Sequence, residues 1–146
     1  MQAYPHHYQA SAQGAAEGIV EVGAHDLAPL PTAAPPEFDG PGGAWSPETL
    51  LLAALADCFV LTLRSVSRAA RFEWRTVQCR VEGVLDRVAG VAQFCRFTTR
   101  AKLAVPPGAN REKARELLER AEKFCLIGNS LRGERLLQIE IVESDA

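Results

Sequence analysis

Between Leu50 and Leu63 the chain reads LLLAALADCFVLTL, a run whose only breaks in aliphatic or aromatic character are Asp57, Cys58 and Thr62. Ser46-Pro47-Glu48 stands just before it and reads as a helix start. Ser46 can accept from the free amides of the first turn, Pro47 suits the first helical position, and Glu48 favours the positive end of the helix dipole. The spacing predicts a helix from Pro47 to about Ala70. The apolar run is shorter than the roughly 20 residues a bilayer requires, so it predicts a helix buried in protein. Asp57, Arg64, Arg68 and Arg71 recur at intervals of seven, four and three and fall on one exposed stripe. Cys58 lies about 100° round from that stripe, on the side of Leu51, Ala54 and Leu55, and points toward packing.

Downstream the period changes from helical to twofold. Trp74–Arg87 alternates, with Val77, Cys79, Val81 and Leu85 on one side, and Val91–Val105 does the same with Val91, Cys95, Phe97, Ala101, Leu103 and Val105. Val88-Ala89-Gly90 joins them as a hairpin turn. Pro106-Pro107-Gly108 ends the second strand and Asn110 caps another helix, in which Ala114, Leu117, Leu118, Ala121, Phe124 and Cys125 share a face. Gly128-Asn129 ends that helix or its continuation, and Arg135–Glu143 forms a last short strand. Upstream, Tyr4–Ala12 and Gly18–Val22 are weaker strand candidates, while Asp26–Gly43, with five prolines and three glycines, reads as loop. The fold class is α+β, with two main helices packed on antiparallel sheet.

A chain of 146 residues fits a single domain, 1–146, with 1–45 as amino-terminal strands and loop and 46–142 as the core. A net charge of -2 gives no reason to expect nucleic acid or an anionic membrane as partner. No basic start followed by an apolar core opens the sequence, so the expected location is cytoplasmic. Four cysteines are too few for a disulfide scaffold, and a disulfide here is expected to be transient. No Cys-x-x-Cys occurs, His6-His7 is an isolated pair and His25 stands alone, so no metal is expected.

Cys58 and Cys125, each assigned to the apolar face of a helix, admit two readings. They are small core residues, or they meet where the helices cross, which requires Cα atoms within about 7 Å for a disulfide. Cys79 and Cys95 lie on inward strand faces and read as packing. Glu48 is a dipole-compensating residue or a site carboxylate.

Ser46–Phe59, SPETLLLAALADCF, resembles the first cysteine motif of the OsmC/Ohr superfamily, and Ala121–Leu131, AEKFCLIGNSL, resembles its second. Val81–Leu85 and Leu103–Pro106 fall where that family has its sheet and the strand entering the second helix. The resemblance spans roughly residues 45–142. It implies an intertwined homodimer with sites at the subunit interface, and reduction of organic hydroperoxides or hydrogen peroxide without metal or bound cofactor. Cys58 would be the peroxidatic thiolate and Cys125 the resolving thiol, with an external dithiol as reductant. Glu48 matches the motif glutamate, which in the family meets an arginine from the region before the first motif. Here no Lys or Arg precedes Arg64. Arg64, Arg68 and Arg71 lie on another stripe of the helix, so a site cation is expected from the hairpin, the second helix or a partner chain. A second reading is a non-enzymatic module that holds a small apolar or thiol ligand in the same place.

Overall fold

The computed structural model describes residues 2–145, and the chain divides into two compact units, Met1–Leu50 and Leu51–Ala146. In the first unit, β1 (Ser11–Gln13), β2 (Val20–Gly23) and β3 (Leu30–Thr32) form an antiparallel sheet in that order. The two strand candidates thus shrink to short pieces, and a third strand occupies part of the expected loop. Proline hides β3 from a sequence reading. Pro31 sits opposite Glu21 in register, and β3 tolerates the missing donor because it is an edge strand. Thr32 fastens it by donating its hydroxyl to the Val20 carbonyl at 3.1 Å.

The helix start behaves as its residues require. Ser46 Oγ accepts from Thr49 N at 3.2 Å, and Thr49 Oγ1 accepts from Ser46 N at 2.9 Å. That reciprocal pair is a capping box with threonine in the place of the usual glutamate or glutamine. Helix α1 runs from Pro47 to Ala70. It ends where Arg71 turns left-handed (φ 51°), with Arg71 N donating to Arg68 O and Phe72 N to Ser67 O, the Schellman pattern with arginine where glycine is usual.

In the second unit, β4 (Thr76–Val88) and β5 (Val91–Val105) form the expected hairpin. Ala89 and Gly90 both take positive φ, 51° and 83°, the type I′ geometry whose twist matches paired strands. Strand β6 (Glu134–Glu143) then pairs with β5 in parallel, Arg96 opposite Glu134 through Val105 opposite Glu143. The expectation of wholly antiparallel sheet is corrected here. A parallel neighbour needs a crossover of a dozen or more residues, and helices α2 (Arg111–Phe124) and α3 (Leu126–Ser130) supply it. Asn110 caps α2, its Oδ1 accepting from Lys113 N at 2.9 Å.

The main core joins Phe59, Leu63 and Val66 of α1 with Ala101, Leu103 and Val105 of β5, Ala114, Leu117, Leu118 and Ala121 of α2, and Ile141 of β6. By length and composition alone α1 could cross a membrane. One face of it enters the core, with Phe59 and Leu63 fully buried, but only 17% of its apolar stretch is buried, less than the sequence pattern predicts.

Candidate functional site

Cys58 and Cys125 converge, and both are free thiols. Cys58 is half-buried on α1, and its Sγ accepts from the backbone N–H of Ile127 at 3.5 Å. Thr62 Oγ1 donates to the Cys58 carbonyl at 2.7 Å and holds that turn of the helix. Cys125 is fully buried, and its Sγ accepts from Gly128 N at 3.4 Å. Residues 127 and 128 are consecutive, so a single short stretch of backbone offers one amide to each sulfur.

The position of Cys125 corrects the expectation drawn from spacing. It does not lie on a helix face but at the break between α2 and α3, in extended conformation at φ -62°, ψ 110°. Its amide donates to Glu122 O at 3.4 Å, closing α2, while its sulfur caps α3. The break turns Phe124, expected on the buried face, outward to 51% exposure.

A second, smaller apolar cluster encloses the thiols: Leu55, Phe97 and Cys125 fully buried, with Leu51, Leu52, Cys58, Val81, Phe94, Ile127 and Leu131 against them. Gly83 of β4 makes room for it. A Cβ there would meet Leu52 Cδ2 at 2.7 Å and Phe94 Cε1 at 2.8 Å, closer than real side chains come. Burial pushes the Cys125 thiol up to about 11; the Gly128 amide opposes this, whereas the Cys58 thiol, as hydrogen-bond partner and as charge, and the Glu122 carboxylate raise it further. Each effect follows from whether a neighbour favours or disfavours the thiolate. In the same way burial, with Glu122 as a lesser cause, pushes Cys79 up to about 11. Cys79 packs against the main core as expected, and Cys95 donates its S–H to Val84 O at 3.4 Å.

Arg135 is the residue that sequence reasoning missed. A cation for Glu48 was expected from the hairpin, the second helix or a partner chain, and none pairs with Glu48 among the described residues; Arg135, from β6, pairs instead with Glu122 beside Cys125. Arg135 Nε pairs with Glu122 Oε1 at 3.1 Å, with the side chains only 23% and 16% exposed. Nη2 donates to Glu122 O at 3.4 Å and Nη1 to Asn129 Oδ1 at 3.2 Å. The guanidinium also lies against Gly128, where a Cβ would collide with it. A signal was available in the alternation of β6: Arg135 is in phase with the inward-facing Leu137, Ile139 and Ile141, a charge at a core position.

Glu48 stands in the first turn of α1, with Oε2 buried and unpartnered among the described residues. Arg64, Arg68 and Arg71 are exposed. No group of three His, Cys, Asp or Glu residues placed to hold a metal ion occurs among the described residues. A groove of about 700 Å³ runs along β4–β6, lined by Cys79, Arg80, Arg100 and Lys102 among others; neither Cys58 nor Cys125 lines it.

The fold is α+β, and two of its four free thiols meet at a helix break. The OsmC-like protein family model matches residues 40–140, and the chain belongs to that family. It is 29% identical over 109 residues to the uncharacterised protein YmaD of Bacillus subtilis (strain 168), covering 73% of each chain. Among solved structures it resembles an organic hydroperoxide resistance protein OsmC from Legionella pneumophila, at 27% identity and TM-score 0.75, covering 96% of this chain and 99% of that one. An OsmC-like protein of unknown function from Vibrio cholerae shares the fold, with TM-score 0.83 at 16% identity over 92% of this chain and 99% of that one.

Proposed function

We propose that this protein is a thiol-dependent peroxidase acting on organic hydroperoxides. The observation that carries the reading is the meeting of Cys58 and Cys125 across one pair of adjacent amides. Membership of a family that includes organic hydroperoxide resistance proteins supports a peroxide-related redox role. The Cys58 thiolate attacks the outer oxygen of the hydroperoxide; an S–O bond forms, the O–O bond breaks, and the alkoxide takes a proton and leaves as alcohol. Cys125 then attacks the Cys58 sulfenic sulfur. The S–S bond forms, the S–O bond breaks, and hydroxide with the Cys125 proton leaves as water. An external dithiol reopens the disulfide and is itself oxidised.

The half-buried Cys58 is the thiol a substrate reaches, and the fully buried Cys125 is the one kept from it. Leu51, Leu52 and Phe94 around Cys58 favour an apolar hydroperoxide over hydrogen peroxide. Glu48 enters as an acceptor for a cation: its buried Oε2 has no donor among the described residues, so a guanidinium brought to it gains a charge-assisted bond. A homodimer fits the exposed apolar side chains Leu61, Phe124 and Leu126, which are 50%, 51% and 68% exposed. The protein is expected to work in the cytoplasm without metal or bound cofactor, nucleic acid or membrane.

One feature favours the second reading, a module that holds a small apolar or thiol ligand: burial raises the Cys125 thiol and so disfavours the thiolate that resolution requires. Turnover separates the two. With cumene hydroperoxide and a dithiol reductant, the peroxidase reading expects catalytic loss of peroxide that Cys58→Ser abolishes. Peroxide loss at the same rate with and without Cys58 would leave the binding module standing.

A further inference from the structure

The strand β6 is apolar on its inner face except at its beginning, where Arg135 takes an inward position beside Phe97 of β5. A charge at a core position is costly unless its partners are built in, and here they are. All three come from the segment that carries Cys125: the Glu122 carboxylate, the Glu122 carbonyl and the Asn129 side chain. The same Glu122 carbonyl accepts from Cys125 N, so the guanidinium grips the group that fixes the backbone of Cys125. Gly128, whose amide contacts the Cys125 sulfur, is the residue whose missing side chain lets the guanidinium approach.

The electrostatics have one source on each neighbouring element. Cys125 faces the Cys58 thiol from α1 and the Glu122 carboxylate from α2, and Glu122 in turn faces Cys79 from β4 and Arg135 from β6. Burial pushes the Glu122 carboxyl above its ordinary range, and Arg135 offsets only part of that rise. One Glu122 oxygen is bound by Arg135, and the other is buried with no hydrogen-bond partner among the described residues. Unopposed, that carboxylate would set a like charge against the thiolate that Cys125 must become.

We infer that Arg135 is the positioning residue of the resolving thiol: it fastens the α2–α3 junction and offsets the Glu122 charge, so that Cys125 can ionise and close on Cys58. The inference rests on the peroxidase reading for its purpose, although its chemistry can be measured without peroxide. When Cys125 loses its proton and attacks a disulfide or sulfenic sulfur, the guanidinium paired with Glu122 opposes the repulsion between that carboxylate and the thiolate.

The direct experiment is the rate at which methyl methanethiosulfonate modifies Cys125 between pH 7 and 9, followed by intact mass in a Cys58→Ser background. Arg135→Gln is expected to slow it about tenfold and move its pH profile upward by about one unit, since tenfold corresponds to one unit of thiol ionisation. Glu122→Gln is expected to quicken it, the double variant to match Glu122→Gln, and Arg135→Lys to recover part of the loss. An arginine that merely braces the fold predicts the opposite, because loosening the junction would expose a buried thiol and speed its modification. A rate unchanged or raised in Arg135→Gln overturns the inference. Should Arg135→Gln fail to fold, Glu122→Gln still decides, since an unchanged or slower rate there would sink the charge argument. Failure of Cys58 to react with peroxide would count against the peroxidase reading alone.

Discussion

Two apolar clusters share the carboxy-terminal unit, and they are built differently. The larger one, from Phe59 to Ile141, consists of aliphatic and aromatic side chains, with its thiol, Cys79, at the margin. The smaller one puts a buried thiol at its centre, a half-buried thiol at its edge and an ion pair against the backbone beside them. Close packing without polar groups gives stability and nothing to react. Thiols, a carboxylate and a guanidinium near a helix break cost stability and give chemistry. The boundary between the two clusters falls between neighbouring residues of α1: Cys58 belongs to the smaller, Phe59 to the larger.

That boundary can be broken on either side. Cys58→Ser is expected to reduce peroxide turnover to the uncatalysed rate while shifting the denaturant midpoint by less than about 1 kcal/mol, as suits one half-buried small side chain. Phe59→Ala should do the reverse, losing about 3–5 kcal/mol in denaturant unfolding because the fully buried ring leaves a cavity. The fraction still folded should keep its Cys58 chemistry. Gly83→Val is expected to cost about 1–3 kcal/mol by overpacking Leu52 and Phe94. Unlike Phe59→Ala, it should also change thiol reactivity, because those side chains line the thiol cluster.

A pH titration sharpens the comparison further. Cys79 and Cys125 are held up at about 11 against an ordinary 9.0, so the folded protein keeps their protons while the unfolded chain releases them. Their contribution to stability is therefore intact below about pH 9 and is lost as pH rises toward 11. Each thiol accounts for at most about 1.4 kcal/mol per pH unit in that window. Cys125→Ala should flatten the alkaline decline in urea midpoint by one such contribution. The smallest effect is expected at Arg71→Gly, which relieves a left-handed arginine and should stabilise by roughly 0.5–1 kcal/mol.

The long elements were legible because several local signals agreed. Helix α1 had a cap, a proline at its first position and an unbroken apolar run, and its end at Ala70 matched the spacing. The hairpin had alternation on both sides of a glycine turn. What escaped reading depended on partners distant in sequence. Pro31 argues against a strand unless the strand is known to be an edge. The parallel docking of β6 follows from the crossover that α2 and α3 make, which alternation alone does not encode. Of the site, Cys58 and Cys125 could be named, but the helix break at Cys125 could not, since the apolar period runs through it. Gly128-Asn129 read as the end of α2 or of its continuation; the continuation is α3, which ends at Ser130, and Gly128 within it leaves room for Arg135. The sequence reads as a single domain, 1–146, with 1–45 as amino-terminal strands and loop, and the chain divides into compact units Met1–Leu50 and Leu51–Ala146.

The most direct test is the bond between the Cys58 and Cys125 sulfurs. After one equivalent of cumene hydroperoxide, peptide mapping under non-reducing conditions is expected to find Cys58 joined to Cys125, with the intact chain lighter by two hydrogens. Cys125→Ser should instead stop at a Cys58 sulfenic acid that dimedone captures. Recovery of both cysteines as free thiols, or a disulfide that leaves out Cys125, would contradict it.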